Sequence, residues 1–586
     1  MTPLEASIDQ LRVNSAQWAA FEESDHCVVL APPGSGKTQL LTTKLAHALA
    51  SGAIRPPRGA ACITMTNEAA LELRRRLASL GISKRPNLVV GTVHGFTLTR
   101  IVLPYAAAAG RADLANSHLA TPEQVRACFD DACDAIGFEL HERRNVFATM
   151  ERARQRLDLS GDVTLGGPRV AEVARRTQLG LEAAGLYDFN DLVRHAVSLV
   201  EDHSFVRAAL SATYQHLYVD EYQDLAPGLD RIVQAFALAD DTATTLFAVG
   251  DPDQAIYAFS GARPQLLADL AGRDDLNTQY LLRNYRSGQS LVDTARRVLA
   301  VDRMIEAEHG GGTLQMHPSP GGEDAQAEAV LHLVQDAISA GTAPDQVLIV
   351  APWGKDRDRC ADALRSASIP VFARSDDAWT PTPLTQLIEA MAAWVTNRDA
   401  SGVTLGDILD SVRNLTRAAD PHVRDKSVVR QLLDARPDHD AAPFVEALAY
   451  VAERADGSGI SDEDAAQLRA MSLAVGPQGP ASGLTIRDLG ARARAPGHVL
   501  AATIHAAKGL EFDVVILAGA DEGSVVGFDP TPEEVAEARR KFYVAITRAR
   551  HRVHVVYTDR RISKSGNAYL VGPCRFIADL AARDAS

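Results

Sequence analysis

No apolar run in this sequence approaches the roughly 18 residues that a membrane span requires. Runs such as Val514 to Ala520 have the length of a buried strand, so no membrane partner is expected. The opening MTPLEASIDQ carries two acids and no basic cluster, so a secretory signal is not expected and a cytoplasmic location is. Cysteine is scarce, with six among 586 residues. Only Cys128 and Cys133 stand near each other, and no second pair accompanies them to complete a metal site. Buried free thiols are expected instead of disulfides. An excess of positive charge is missing as well: 60 basic against 75 acidic side chains leave a net charge of −15. That removes a globally basic nucleic-acid binder but leaves room for a local basic face. Arg74-Arg75-Arg76 and the run from Arg539 to Arg550 are candidates, each readable equally as a solvated helix face.

What is present begins with Ala31-Pro32-Pro33-Gly34-Ser35-Gly36-Lys37-Thr38. A β-branched run, Val28-Val29-Leu30, precedes this loop, and apolar residues at helical spacing follow from Gln39. Strand, glycine loop and helix form the context of a phosphate-binding loop. Gly34 and Gly36 let main-chain N–H groups approach phosphate oxygens, and the helix terminus adds its dipole. Lys37 is placed for the β and γ phosphates of ATP, Ser35 lies in the cradle, and Thr38 is a ligand for Mg²⁺. The strict pattern has glycine where Ala31 stands.

A second strand, Leu217-Tyr218-Val219, ends in Asp220-Glu221-Tyr222-Gln223-Asp224. Asp220 is a candidate for the same Mg²⁺, and Glu221 for orienting or deprotonating water. A third strand, Thr245 to Gly250, runs into Asp251-Pro252-Asp253-Gln254. Gln254 is a candidate sensor of the γ-phosphate or of the attacking water. Tyr257 and Phe259 follow as candidates to stack on bases, with core packing as the alternative. Lys37 and Asp220 lie too far apart for a minimal nucleotide-binding domain, so helix-forming sequence, for example Pro122 to Leu159 and Val170 to Leu192, is inserted between them.

Taken in order, these motifs resemble the UvrD/Rep/PcrA family of superfamily-one DNA helicases over nearly the whole chain. Val13-Asn14-Ser15-Ala16-Gln17 resembles the segment in which Gln17 reads the adenine edge. Ile63 to Ala70, with Thr66 and Asn67, and Gly91 to Phe96, with His94, resemble DNA-contacting segments. Asp188-Phe189-Asn190-Asp191-Leu192 resembles the motif that closes the inserted domain, with Phe189 on the nucleic-acid side. Leu282 to Ser287 resembles the segment in which Tyr285 stacks on adenine and Arg286 reaches the γ-phosphate. Thr503 to Phe512 is similar to the segment in which Thr503 and His505 face nucleic acid and Glu511 holds the ribose. Tyr543 to Arg550 is similar to the last motif, with Arg548 as a second arginine finger.

The resemblance implies an α/β fold with two RecA-like parallel-sheet lobes, a helical insertion in each, and Mg-ATP bound between them. It implies translocation on single-stranded or tailed DNA in the 3′→5′ sense. The expected plan is 1–102 with 208–279 for the first lobe, 103–207 for its insertion, 280–379 with 497–586 for the second lobe, and 380–496 for a shortened insertion. That insertion holds a polar stretch from Arg454 to Asp464 and a turn from Gly476 to Pro480, with no duplex-binding hairpin evident. Met65, Gln39, Phe259 and Ser260 stand where the family has an aromatic, an arginine, a tryptophan and an arginine. Three functions remain open: a repair or replication helicase, the ATPase subunit of a phage-defence complex of the Gabija type acting with a nuclease or sensor partner, and a nucleotide hydrolase without nucleic acid.

Overall fold

Runs such as Val28-Val29-Leu30 and Val514-Val515-Ile516-Leu517 have no polar face, and a parallel sheet covered by helices on both sides is where such runs fit. The computed structural model describes residues 1–82, 85–156, 166–301, 303–373, 379, 382–398, 401, 403–415, 421–453, 460, 462–479, 481–490, 497–563, 566–577 and 580. They fall into two units, 1–32 with 36–281 and 33–35 with 282–586. Each unit is built on one six-stranded parallel sheet with helices interspersed, the α/β class that the sequence implies.

The first sheet has the strand order Leu88–Thr92, Gly59–Thr64, Tyr214–Val219, Thr245–Gly250, Cys27–Leu30, Asn277–Tyr280. Leu30 pairs with Gly250, and Val219 pairs with both Ala248 and Ile63. The strands therefore finish along one edge, where the loops of a parallel sheet gather ligands. Side chains alternate between two cores. Val29, Cys62, Tyr218 and Val249 lie beneath helix Lys37–Ala50 through Leu40, Leu41 and Leu45. Val28, Ile63, Leu217 and Ala248 lie on the other face, beneath helices Phe189–Asp202 and Pro227–Ala237.

Helices Pro122–Ile136, Leu140–Arg156 and Gly167–Ala183 carry a separate small core of Phe129, Cys133, Met150 and Val173. A capping box at Thr121 starts the first of them, and left-handed Gly137 ends it. The expected helical stretch to Leu159 is described as far as Arg156; residues 157–159 lie outside the described residues. Arg154 fastens this helical group to the sheet domain. It pairs with both oxygens of Asp188 at 2.5 and 3.0 Å and with Asp191 at 3.1 Å, all nearly buried.

The second sheet has the order Thr313–Pro318, Ala549–Tyr557, Phe512–Leu517, Val347–Ala351, Val499–Thr503, Val371–Ala373. Between the last two of these, which are adjacent, the chain makes helices Pro383–Thr396, Leu405–Leu415, Pro421–Asp434, Ala441–Glu453, Asp462–Val475 and Ile486–Gly490. Gly490 closes this group: a Cβ there would lie 2.5 Å from the main-chain nitrogen of Ala393. Of the polar stretch from Arg454 to Asp464, residues 454–459 and 461 lie outside the described residues, as does Pro480 of the turn. The six cysteines are free thiols. Among the described residues no helix is long and apolar enough to cross a membrane.

One buried ion cluster ties the second sheet together. Arg561 meets Asp356, Asp521 at 2.8 Å, Ser524 at 2.9 Å and Glu323 at 3.4 Å, with all four charged side chains at most 4% exposed. Burial pushes Asp356 and Asp521 above the ordinary carboxylate range, with Arg561 pulling against it. Removing Arg561 takes the ion-pair partner from buried Asp356 and Asp521, so Arg561→Met should lower stability by about 3–5 kcal/mol. The acids then rise further, and ionising them in the fold is what costs stability. The deficit should therefore shrink as the pH falls from neutral, which denaturant melts at several pH values would measure.

Candidate functional site

The parallel order of the first sheet fixes which motifs are neighbours. Strand Cys27–Leu30 delivers the phosphate loop, Thr245–Gly250 beside it delivers Asp251 to Gln254, and Tyr214–Val219 beyond that delivers Asp220 and Glu221. The next two strands, Gly59–Thr64 and Leu88–Thr92, deliver Thr66, Asn67 and His94. Thr66, Asn67 and His94 thus lie beyond Asp220 and Glu221 from the phosphate loop, whereas Tyr257 and Phe259 follow Gln254 on the strand between.

At the nucleotide end, Gly36 is left-handed (φ 82°) and precedes helix Lys37–Ala50, which no side chain caps. The polar N-terminus of such a helix suits an anion. Gln17 is buried on helix Ser15–Glu22, and its Nε2 lies 2.7 Å from where a Gly36 Cβ would stand. Only glycine gives both the positive φ and that space. Lys37 is nearly buried, with Nζ 3.6 Å from Glu221 Oε1. Thr38 Oγ1 donates to Asp220 Oδ2 at 3.3 Å. Burial, and next the charge of Glu221, push Asp220 up to about 7. Such a carboxylate gains from a cation. Thr38 and Asp220 supply the hard oxygen donors that Mg²⁺ prefers, so the residues fit the ion. Glu221 is left-handed (φ 55°, ψ 46°), a conformation costing a non-glycine residue roughly 1–2 kcal/mol. Gln254 is buried and donates to Asp251 Oδ2 at 2.9 Å.

At the other end, Thr66 caps helix Asn67–Ser79 by accepting the Ala69 N–H at 3.1 Å, and Asn67 is exposed at its first turn. His94 and Phe189 meet edge to face with centroids 5.6 Å apart, and Phe189 is 54% exposed. Burial pushes His94 down to about 4, so its ring is neutral at neutral pH. Met65 packs against the core. Tyr257 is half-buried in a turn that Gly261 completes; the side chain of Phe259 lies outside the described residues.

The second unit holds the remaining candidates. Pro33–Ser35 belong to it. Tyr285 donates its N–H to Gly34 O at 2.8 Å, and Asn284 Nδ2 donates to Pro33 O at 2.8 Å. Gly34 is left-handed (φ 76°), and a Cβ there would lie 2.7 Å from Arg286 Cβ. The Arg283 guanidinium sits 5.8 Å from the Tyr285 ring centroid. Arg286 donates to Glu511 at 2.8 Å and to the Thr547 carbonyl at 3.1 Å, while Arg550 donates to the other Glu511 oxygen at 2.6 Å. Burial opposes the Glu511 charge, yet the two arginines hold it down to about 2. Arg548 is buried and donates to the carbonyls of Val544 at 3.0 Å and Leu510 at 3.3 Å. Thr503 ends its strand and accepts the Ala506 N–H at 3.3 Å; half-buried His505 follows in the same turn.

Three features had no signal in the sequence. Arg550 pairs with Glu511 and Asp513, Arg154 with the acids at 188 and 191, and Gln223 joins two motifs through its side chain. The basic clusters are engaged internally. Arg74 donates to Val90 O, Arg76 to Glu72 and Arg539 to Val298 O, while Lys541 pairs with Glu537.

The UvrD/REP helicase N-terminal domain matches residues 13–273, and the UvrD-like helicase C-terminal domain matches residues 485–560. The ATP-dependent DNA helicase UvrD2 of Mycobacterium tuberculosis H37Rv is 28% identical, over 94% of this chain and 79% of that protein. UvrD1 of the same strain is 25% identical over 99% and 86%. The ATP-dependent DNA helicase PcrA of Leuconostoc citreum is 25% identical over 97% and 84%. The chain belongs to the UvrD-like superfamily-one DNA helicases.

Proposed function

We propose that this chain is an ATP-dependent helicase that hydrolyses Mg-ATP to move 3′→5′ along single-stranded DNA. The observation that carries the reading is the constellation at one sheet edge: Thr38 bonded to Asp220, Lys37 beside Glu221, and Gln254 on the strand between. Lys37 and the loop N–H groups bind the phosphates. Thr38 and Asp220 would hold Mg²⁺, which would supply neutralisation of phosphate charge. Glu221 orients the attacking water and accepts its proton. Gln17 and Tyr285 hold the adenine and Glu511 the ribose. Arg286 and Arg548 serve as arginine fingers, each giving up its present partner, Glu511 for Arg286 and the Val544 and Leu510 carbonyls for Arg548. Thr66, Asn67, His94, Phe189, Tyr257, Phe259, Thr503 and His505 contact the strand. The lobe and insertion boundaries expected from the sequence form part of this proposal.

A second reading keeps the same ATPase but makes the chain the nucleic-acid-sensing subunit of an anti-phage defence complex with a partner nuclease. The short helical segment between strands Val371–Ala373 and Val499–Thr503 favours it. A 3′-tailed duplex separates the readings: unwinding by the purified chain supports the first, and ATPase stimulated by single strands without unwinding supports the second.

Lys37→Ala and Glu221→Gln should each abolish ATP hydrolysis while the melting transition persists; substantial turnover in either refutes the site. Arg286→Ala should lower kcat about 10³-fold or more, with nucleotide binding less affected, as single-turnover assays and nucleotide titrations would show. Tyr257→Ala should weaken single-strand binding by about 1–3 kcal/mol, and unchanged anisotropy titrations would remove it from the base-contacting set.

A further inference from the structure

We infer that Gln223 is a positioning residue: it aims the Glu221 carboxylate and ties it to the segment that carries Gln254 and Tyr257. The inference rests on the reading of Glu221 as the base that handles the attacking water.

Gln223 is fully buried, and both ends of its amide are committed. Nε2 donates to Glu221 Oε2 at 2.5 Å. Oε1 accepts the Asp251 N–H at 2.9 Å. The assignment follows from chemistry, since an ionised carboxylate can only accept and a main-chain N–H can only donate. Turning the amide over would set oxygen against oxygen and NH₂ against N–H. The chain continues through Asp251, itself fully buried, whose Oδ2 accepts Gln254 Nε2 at 2.9 Å and whose Oδ1 accepts the Asp253 N–H at 3.2 Å. Glu221, Gln223, Asp251 and Gln254 are thereby one hydrogen-bonded series linking the ends of two adjacent parallel strands.

Two further observations show that the space is reserved for this arrangement. A Cβ on Gly250 would lie 2.5 Å from Gln223 Oε1 and 2.7 Å from Leu267 Cδ2. Gly250 is not in the left-handed region, so room for the amide is what requires glycine there. Glu221 meanwhile has a left-handed backbone, a conformation that persists only where its surroundings hold it. Its carboxylate is held by Gln223 on one oxygen, with Lys37 3.6 Å from the other. A shift of the segment after Gly250, such as a base pressing on Tyr257 would cause, reaches Glu221 through the Gln223 amide. Stimulation of hydrolysis by single strands therefore passes through this side chain.

The test uses the full chain with steady-state ATPase assays with and without a single-stranded oligonucleotide, anisotropy titrations of that oligonucleotide, and thermal melts. Gln223→Met keeps the shape and removes both bonds, and Gly250→Ala displaces the amide without deleting it. Each should lower the stimulated kcat about 10²-fold, as a misplaced catalytic group does, with the KM for ATP and oligonucleotide affinity near wild type and a melt that stays cooperative at a lower temperature. A wild-type kcat in Gln223→Met, or an equal loss of kcat, both affinities and the melting transition, would overturn the inference. If Glu221→Gln still hydrolyses ATP, the reading of Glu221 fails and this inference with it. If Glu221→Gln is inactive while Gln223→Met turns over normally, the inference alone fails.

Discussion

Burying an acid beside another acid is costly, and the first unit does so at Asp220. The main-chain N–H of Glu221 and the hydroxyl of Thr38 are its hydrogen-bond donors, and burial holds its proton affinity near neutrality. Lys37 stands nearest to Glu221, the second acid of the pair. A site so arranged favours the arrival of positive charge, and phosphate brought with a divalent cation supplies both partners: anion for Lys37 and the helix terminus, cation for Asp220. The parallel sheet is what makes the arrangement possible. Only strands running the same way bring the ends of Cys27–Leu30, Thr245–Gly250 and Tyr214–Val219 to one edge from such distant places in the chain.

The second unit solves a different electrostatic problem. Buried arginines cannot stand idle inside a protein. Arg286 is held by Glu511 and the Thr547 carbonyl, and Arg550 takes the other Glu511 oxygen. Arg548 is held by main-chain carbonyls. These partners differ in what they demand on release. A carboxylate left behind by Arg286 keeps Arg550, so its charge stays compensated, while the Thr547 carbonyl loses that donor. Of the carbonyls left by Arg548, that of Val544 keeps the Thr547 hydroxyl. On the proposed reading, both arginines are redeployed without stranding a charge.

How far the sequence revealed this depends on the kind of residue. The strand at 28–30, the acids at 220 and 221 and the strand at 245–250 were legible because short apolar runs followed by glycine or acids have few other uses. The two-sheet plan followed from the resemblance of the ordered motifs to a helicase family. The partners of those residues were not legible. Gln223 looked like one letter of a motif, and nothing in spacing says that its amide reaches Asp251. Arg154 finds Asp188 only after two helices have packed. The arginine triplet at 74–76 suggested a basic surface, whereas Arg74 reaches a main-chain carbonyl and Arg76 an acid one turn away. Long side chains choose partners in three dimensions, and one-dimensional patterns carry no record of that choice.

On the proposed reading, the departures from the family pattern acquire a physical sense at the end of the first sheet assigned to nucleic acid. Met65 packs against the core, so that side chain offers no flat face to a base. The ring exposed nearby is Phe189, with His94 edge-on beside it. Because burial keeps His94 neutral, this pair offers polarisable surface without charge. On the proposed reading, grip here comes from stacking and is tolerant of base identity. A chain with net charge −15, and with several of the arginines in its basic clusters engaged internally, gains from holding bases rather than phosphates. The same choice makes release easy, since a stacked base leaves behind no buried unpaired charge, and a motor must let go of each base as readily as it takes the next.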